Sequence, residues 1–218
     1  MTYEAFKEAE MVGWNARAQT YNDYTGQVTT QAIPTLLAMA ETTPKKRVLD
    51  LCCGTGRAAG AAVALGAFAE GIDASAAMVD AARKDFPKAA FDVGDAESIP
   101  REDERYDAVI CSFGLMHVGS PEALFSEMAR VLKPGGRVAL SHWIGPPESP
   151  FFRIVFGTMQ RLPCPQFADG EPDNPVADLP FELWRRRTRH SIRYLCACLE
   201  TRTSHSLWGH RNRLFCLV

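Results

Sequence analysis

The chain has 218 residues, a net charge of −2, and 46% apolar against 23% charged residues, which is ordinary for a globular domain with its own core. The near-neutral charge gives no global attraction for nucleic acid or an anionic membrane. No stretch approaches the roughly 20 apolar residues that span a bilayer, and MTYEAFKEAEMVGW lacks the basic start and apolar run of a signal peptide.

Residues 3–42 read as helical, and TTQAIPTLLAMAE within them carries one apolar face. From residue 46 to 143 short apolar runs alternate with helical stretches. RVLDLCC reads as a buried strand, GRAAGAAVALG as a helix of small residues, and AFAEGID as a second strand. SAAMVDAARKDF follows as a helix with Ser75 at its N-cap, then AAFDVGD and YDAVICSFG as strands. SPEALFSEMARVLKPGG reads as a helix with Ser120 at the N-cap, Pro121 in the first turn and Lys-Pro-Gly-Gly as its stop. RVALSHW is a fifth strand. This order predicts an α/β fold with a doubly wound, mostly parallel sheet.

Residues 144–180 hold eight of the 14 prolines, and PFFRIVFGTMQRL among them reads as a helix on an excursion over the sheet. Residues 181–218 change character: eight arginines, no lysine and two acids give +6, against −8 for the rest. Four segments are expected: a helical cover (1–45), a core (46–143), a lid or acceptor-pocket excursion (144–180) and an atypical basic tail (181–218). Seven cysteines are present. Cys52, Cys53 and Cys111 sit in apolar runs and read as buried thiols, and Cys196 and Cys198 are too close for a zinc pair. The expectation is a cytoplasmic protein with free thiols and no metal.

The informative stretch is VLDLCCGTGRAAG, residues 48–60. In open parallel sheets ligands bind at the carboxyl ends of the strands, where the strand order reverses. Asp50 closes the first strand, and Gly54 and Gly56 let backbone approach a ligand and take the tight turn. A dinucleotide loop is G-x-G-x-x-G, whereas GTGRAAG has one residue more. A carboxylate at Asp50 would repel a pyrophosphate and suits a cationic ligand. Asp73 and Asp95 end the second and third strands. Three acids along one edge suggest a ligand with hydroxyls, an amine and positive charge; a plain strand-to-helix turn is the alternative.

VLDLCCGTG, GIDASAAMVDAAR, GDAESIP, YDAVICSFGLMHV and EMARVLKPGGRVAL together resemble the ordered motifs of class I S-adenosylmethionine-dependent methyltransferases. The nearest type is that of ubiquinone and menaquinone biosynthesis and its small-molecule relatives. The resemblance covers about residues 10–145 and implies S-adenosyl-L-methionine as cofactor. It implies Asp50, Cys52, Gly54 and Gly56 at the cofactor's amino-acid end, although the family often has glycine where this chain has Cys52. It implies Asp73 on the ribose hydroxyls, Ala74 and Met78 beside the adenosine, Asp95 and the Ala96 N–H on the adenine, and Ser112 near the methionine part. Tyr21 resembles an aromatic residue that covers the cofactor, with simple packing as the alternative.

Transfer of an activated methyl asks the protein mainly to align the partners and exclude water. A base is needed only for a protonated acceptor. His117, after the fourth strand, is the first candidate for base or substrate contact, and His142 the second; packing or capping is the plain alternative for both. FFRIVFGTM offers surface for an apolar or aromatic small-molecule acceptor.

The family resemblance stops before the tail. Members end with a helix and two strands that complete a seven-stranded sheet, and residues 181–218 show neither clean alternation nor a helical period. A diverged helix, a basic surface or a reading-frame shift near residue 180 each account for this; the last would leave the C-terminal strands missing or altered. Two other functions are weighed: an inactive relative that binds the cofactor, and a nicotinamide-dependent oxidoreductase, which the loop spacing disfavours. No platform of interleaved basic and aromatic residues for nucleic acid is present.

Overall fold

The computed structural model describes residues 3–143, 149, 154 and 213–217. Six strands form one parallel sheet: β1 (Arg47–Leu51), β2 (Phe68–Asp73), β3 (Ala90–Val93), β4 (Tyr106–Ser112), β5 (Leu132–Ser141) and β6 (Arg213–Leu217). Their order is β3-β2-β1-β4-β5-β6, so the direction of winding reverses between β1 and β4. The helices are α1 (Tyr3–Arg17), α2 (Thr25–Thr29), α3 (Ile33–Met39), α4 (Arg57–Ala64), α5 (Ala76–Asp85) and α6 (Pro121–Val131).

Alternation along β1 divides the core between the two faces of the sheet. Leu49 and Leu51 face a layer with Leu124, Phe125, Met128 and Val131 of α6, all of them fully buried. Val48 lies in a second layer with Ile33 and Leu36 of α3, Ala58, Ala59 and Ala62 of α4, and Val79 and Ala82 of α5. The second layer is built from alanines, so α4 packs close to the strands and one large ring, Phe91, fills the space that remains. A Cβ on Gly56 would lie 2.7 Å from Phe91 Cζ and 2.8 Å from Ala82 Cβ, and its φ of +79° is left-handed. A Cβ on Gly71 would lie 2.6 Å from Phe91 Cδ1.

The two serine caps form as expected. Ser75 Oγ accepts from Met78 N at 3.2 Å, and Ser120 Oγ accepts from Ala123 N at 3.1 Å. The helix read as continuing to Lys-Pro-Gly-Gly ends earlier, at Val131. Pro134 disfavours helical backbone at Lys133, and buried Leu132 pairs instead with Tyr106 to start β5. The tail is also corrected in one respect: Arg213–Leu217 is a strand, parallel to β5 with Arg137 opposite Arg213. RLFCL is too short to show a period, and the open edge of β5 offers the ladder it joins. The rest of the tail, and the excursion at 144–180 except residues 149 and 154, lie outside the described residues.

Asp50 shares the face of Val48, so its carboxylate lies under α4. It is 1% exposed, and Oδ2 accepts from Ala59 N at 3.0 Å. Burial pushes this carboxyl up to about 7 against the Ala59 bond, which holds it down, with the Asp73 charge adding to the rise.

Two outcomes follow from this packing. Gly71→Ala is expected to lose about 1–3 kcal/mol in urea unfolding, because Phe91 has no room to retreat; an unchanged midpoint would contradict the packing described. For Asp50, an unfolded aspartate titrates near 3.8. Between about pH 4 and pH 7 the folded chain therefore keeps a proton that the unfolded chain has released, and stability falls as pH rises through that window. Relative to Asp50→Asn, wild-type stability is expected to drop by a few kcal/mol across the window and then level off. A difference that stays flat across it would show that Asp50 is not buried as a neutral acid.

Candidate functional site

A cavity of about 640 Å³ opens at the carboxyl ends of β1, β2, β3 and β4 and is covered by α1. Ten of the residues singled out in the sequence line it: Tyr21, Cys52, Gly54, Asp73, Ala74, Met78, Asp95, Ala96, Ser112 and His117. Three do not. Asp50 lies beneath α4, so it is not the pocket floor that its place at the strand end suggested. Gly56 makes room for Phe91 rather than for a ligand. His142 is 3% exposed and stands behind the cavity, its Nδ1–H donating to the Trp143 carbonyl at 2.7 Å. Burial moves the His142 imidazole below its ordinary value, which keeps the ring neutral.

Asp73 is the anchor of the site. Its Oδ2 accepts from Gly54 N at 2.8 Å and its Oδ1 from Ser75 N at 2.8 Å. Burial raises this carboxyl, while the Ser75 and Gly54 bonds hold it down. Each oxygen keeps a lone pair for a further donor. Gly54 has φ +52°, and a Cβ placed there would meet nothing within 4 Å among the described residues. That gap beside Asp73 is space a ligand can take. An oriented carboxylate beside open backbone suits a polyhydroxylated, amine-bearing nucleoside such as S-adenosyl-L-methionine.

Two non-glycine residues at the cavity have left-handed backbone, Cys52 at φ 53° and Phe113 at φ 56°. Such conformations cost about 1–3 kcal/mol each and persist only where surrounding contacts hold them. Phe113 is held by its N–H on Ser141 O at 3.1 Å and by stacking on Trp143 with ring centroids 4.3 Å apart. The positive φ at Cys52 explains why glycine is common at this position in the family the motifs resemble.

Lys7, Glu10 and Trp14 of α1 line the cavity and were not singled out in the sequence, and Asn15 ties the same helix to the start of α5. Lys7 pairs with Asp95 at 2.7 Å and Glu97 at 3.0 Å. Glu10 Oε2 lies 2.8 Å from His117 Nδ1 and accepts from Trp14 Nε1 at 2.9 Å. Asn15 Oδ1 accepts from Ser75 Oγ at 2.7 Å and Ala77 N at 3.2 Å. The signal was present: positions 7, 10 and 14 share one helical face, and that face is polar where a core helix would be apolar. Behind α1, Asn22 Oδ1 accepts from Thr55 Oγ1 at 2.7 Å and Arg57 Nε at 2.9 Å, which ties the N-terminal segment to the glycine loop.

Residues 48–136 match the family described as methyltransferase domain. Among curated proteins, the chain is 34% identical over 134 residues to a demethylmenaquinone methyltransferase of Renibacterium salmoninarum, covering 62% of this chain and 56% of that one. It is 37% identical to the Beutenbergia cavernae protein of the same name, covering 62% and 55%. The chain thus spans just over half the length of these relatives. Among solved structures, the YcgJ protein from Bacillus subtilis aligns with TM-score 0.50 and 29% identity over 60% of this chain and 58% of that one. A TehB-like SAM-dependent methyltransferase from Corynebacterium glutamicum aligns with TM-score 0.51 over 67% and 82%; at 22% identity it speaks for the fold alone. Residues 48–136 are thus similar to a methyltransferase domain, carried on a parallel sheet whose strand order reverses between β1 and β4.

Proposed function

We propose that this chain binds S-adenosyl-L-methionine in the cavity at the strand ends and methylates a small molecule by in-line displacement. One observation carries the reading: the half-buried Asp73 carboxylate, oriented by two backbone N–H groups beside the empty side of Gly54. The match to the methyltransferase-domain family supports it. When bound, the cofactor supplies a methyl already activated on a sulfonium.

The work of the chain is binding, orientation and exclusion of water. Asp73 takes the ribose hydroxyls, with Ala74 and Met78 along the adenosine. Asp95 and the Ala96 N–H meet the adenine, while Lys7 holds Asp95 in place through one carboxylate oxygen. Cys52, Gly54 and Ser112 surround the amino-acid end, and Tyr21 covers it. Asp50 stays outside and stiffens the loop by capping a free N–H of α4. Trp14, Phe113 and Trp143 give the remaining wall of the cavity aromatic surface for the acceptor. The relatives named for demethylmenaquinone favour a quinol-type ring as that acceptor. Among the described residues no helix is long and apolar enough to cross a membrane.

Calorimetric titration tests the cofactor assignment. S-adenosylhomocysteine is expected to bind with a micromolar Kd, and NAD not at all. Asp73→Ala removes hydrogen bonds to a charged group, worth about 1.5–3 kcal/mol, so affinity is expected to fall by about 10- to 100-fold. Asp73→Asn, which can still accept from one N–H, serves as the folded control with an intermediate loss. Binding of NAD, or no binding of S-adenosylhomocysteine by the folded chain, would remove the reading.

A further inference from the structure

We propose that Glu10 is a positioning residue for His117, and that the pair serves an acceptor which must lose a proton from an oxygen or an acidic carbon before methylation. The inference rests on the methyl-transfer reading and narrows it to one class of acceptor.

His117 is fixed from three sides. It ends a short 3₁₀ turn, Leu115–His117, in which Leu115 and Met116 are buried and the His117 N–H bonds the Gly114 carbonyl at 2.9 Å. Its Nδ1 lies 2.8 Å from Glu10 Oε2. The indole of Trp14 stands edge-on to the imidazole, with centroids 4.9 Å apart and planes at 85°. Glu10 is itself fixed: the oxygen that meets His117 also accepts from Trp14 Nε1, one turn further along α1. The Glu10 side chain is 11% exposed, so little water competes for it, while His117 at 30% remains open to the cavity.

This arrangement decides which nitrogen is available. A carboxylate only accepts, so the proton of the neutral ring sits on Nδ1. Nε2 then carries the lone pair, and it has no hydrogen-bond partner among the described residues. Such a nitrogen at the cavity wall is a proton acceptor. The acceptor's O–H or acidic C–H gives its proton to Nε2, and the electron pair of that bond stays on the acceptor atom as the nucleophile. The ring becomes an imidazolium, and the Glu10 carboxylate meets its charge. Asp73 is the other carboxylate that senses this ring, from the end of β2. A nucleophile with no proton to lose, such as a tertiary amine, would have no use for the pair. Phenols, quinols and enolic rings would.

The test joins a spectroscopic arm to a kinetic one on the full chain. Two-bond proton–nitrogen NMR of the histidine rings, at about pH 8 where a free imidazole is neutral, is expected to show His117 protonated on Nδ1. In Glu10→Ala that preference is expected to disappear; in Glu10→Gln, whose amide oxygen can accept the same proton, it is expected to persist. With naphthohydroquinone kept reduced under argon, Glu10→Ala is expected to lower kcat about 10- to 100-fold, within the range of a general base. KM and the affinity for S-adenosylhomocysteine are expected to change by less than about threefold, and Glu10→Gln to recover part of kcat. Dimethylnaphthylamine, which has no proton to give, is not expected to be methylated. His117 protonated on Nε2 in the wild type, or the same tautomer and kcat in Glu10→Ala, would overturn the positioning role. Methylation of the amine and not of the hydroquinone would overturn the acceptor class. Failure of the wild-type chain to bind S-adenosylhomocysteine would instead strike the cofactor reading, and the tautomer arm decides the role of Glu10 without it.

Discussion

The Asp73 carboxylate is the point on which the site turns. It closes β2 and draws in one N–H from the loop after β1, at Gly54, and one from the start of α5, at Ser75. Two connections of the sheet are thereby tied to one half-buried charge. The tie needs a left-handed Gly54, which leaves the side facing the cavity open. A carboxylate taken partly out of water costs free energy unless its oxygens are occupied. Here two backbone donors offset part of that cost and leave lone pairs for a ligand. The same contact that stabilises the turn therefore prepares the surface a nucleoside would meet.

The cover over this site buries Phe6 and Ala9 on one side of α1 and is placed over the cavity by polar contacts. Along α1, Lys7, Glu10 and Asn15 reach the ends of three different elements: Asp95 beyond β3, His117 beyond β4 and Ser75 at the cap of α5. Partly exposed ion pairs such as Lys7–Asp95 contribute little stability each. Their value lies in register, since each fixes α1 against a different part of the cavity. The sheet beneath is the opposite case: β1 and β4 are buried on both faces, and Phe91 leaves no slack between α4 and the strands.

Much of this was legible in the chain because the relevant signals are local. Apolar runs ending in acids marked β1, β2 and β3, and serine caps marked α5 and α6. The five motifs in order led to nine residues, and the N-terminal segment to Tyr21, that do meet around one cavity. What was not legible depends on which way a side chain points and on partners far away in sequence. Asp50 and Asp73 both stand at the carboxyl end of a strand, one before its last residue and one at it, and look alike as letters. The pleat turns Asp50 under α4, while Asp73, last in its strand, is caught by the turn that follows it. Gly54 and Gly56 are likewise two glycines of one loop, one open to the cavity and one closed by Phe91, whose place 35 residues further on only the fold reveals. Glu10 and His117 are 107 residues apart, so no spacing rule links them. The strand at Arg213–Leu217 is five residues long, too short to carry a period, and it depends on the edge that β5 presents.

The central claim is that the cavity beside Asp73 receives the cofactor. The most direct measurement is a crystal structure of the chain with S-adenosylhomocysteine. The expected result has the ribose hydroxyls on the Asp73 carboxylate, the adenine against Ala96, and the amino-acid end over Gly54 and facing Ser112. Density for the ligand elsewhere on the sheet, or an Asp73 that touches only Gly54 and Ser75 while the ligand is bound, would contradict it.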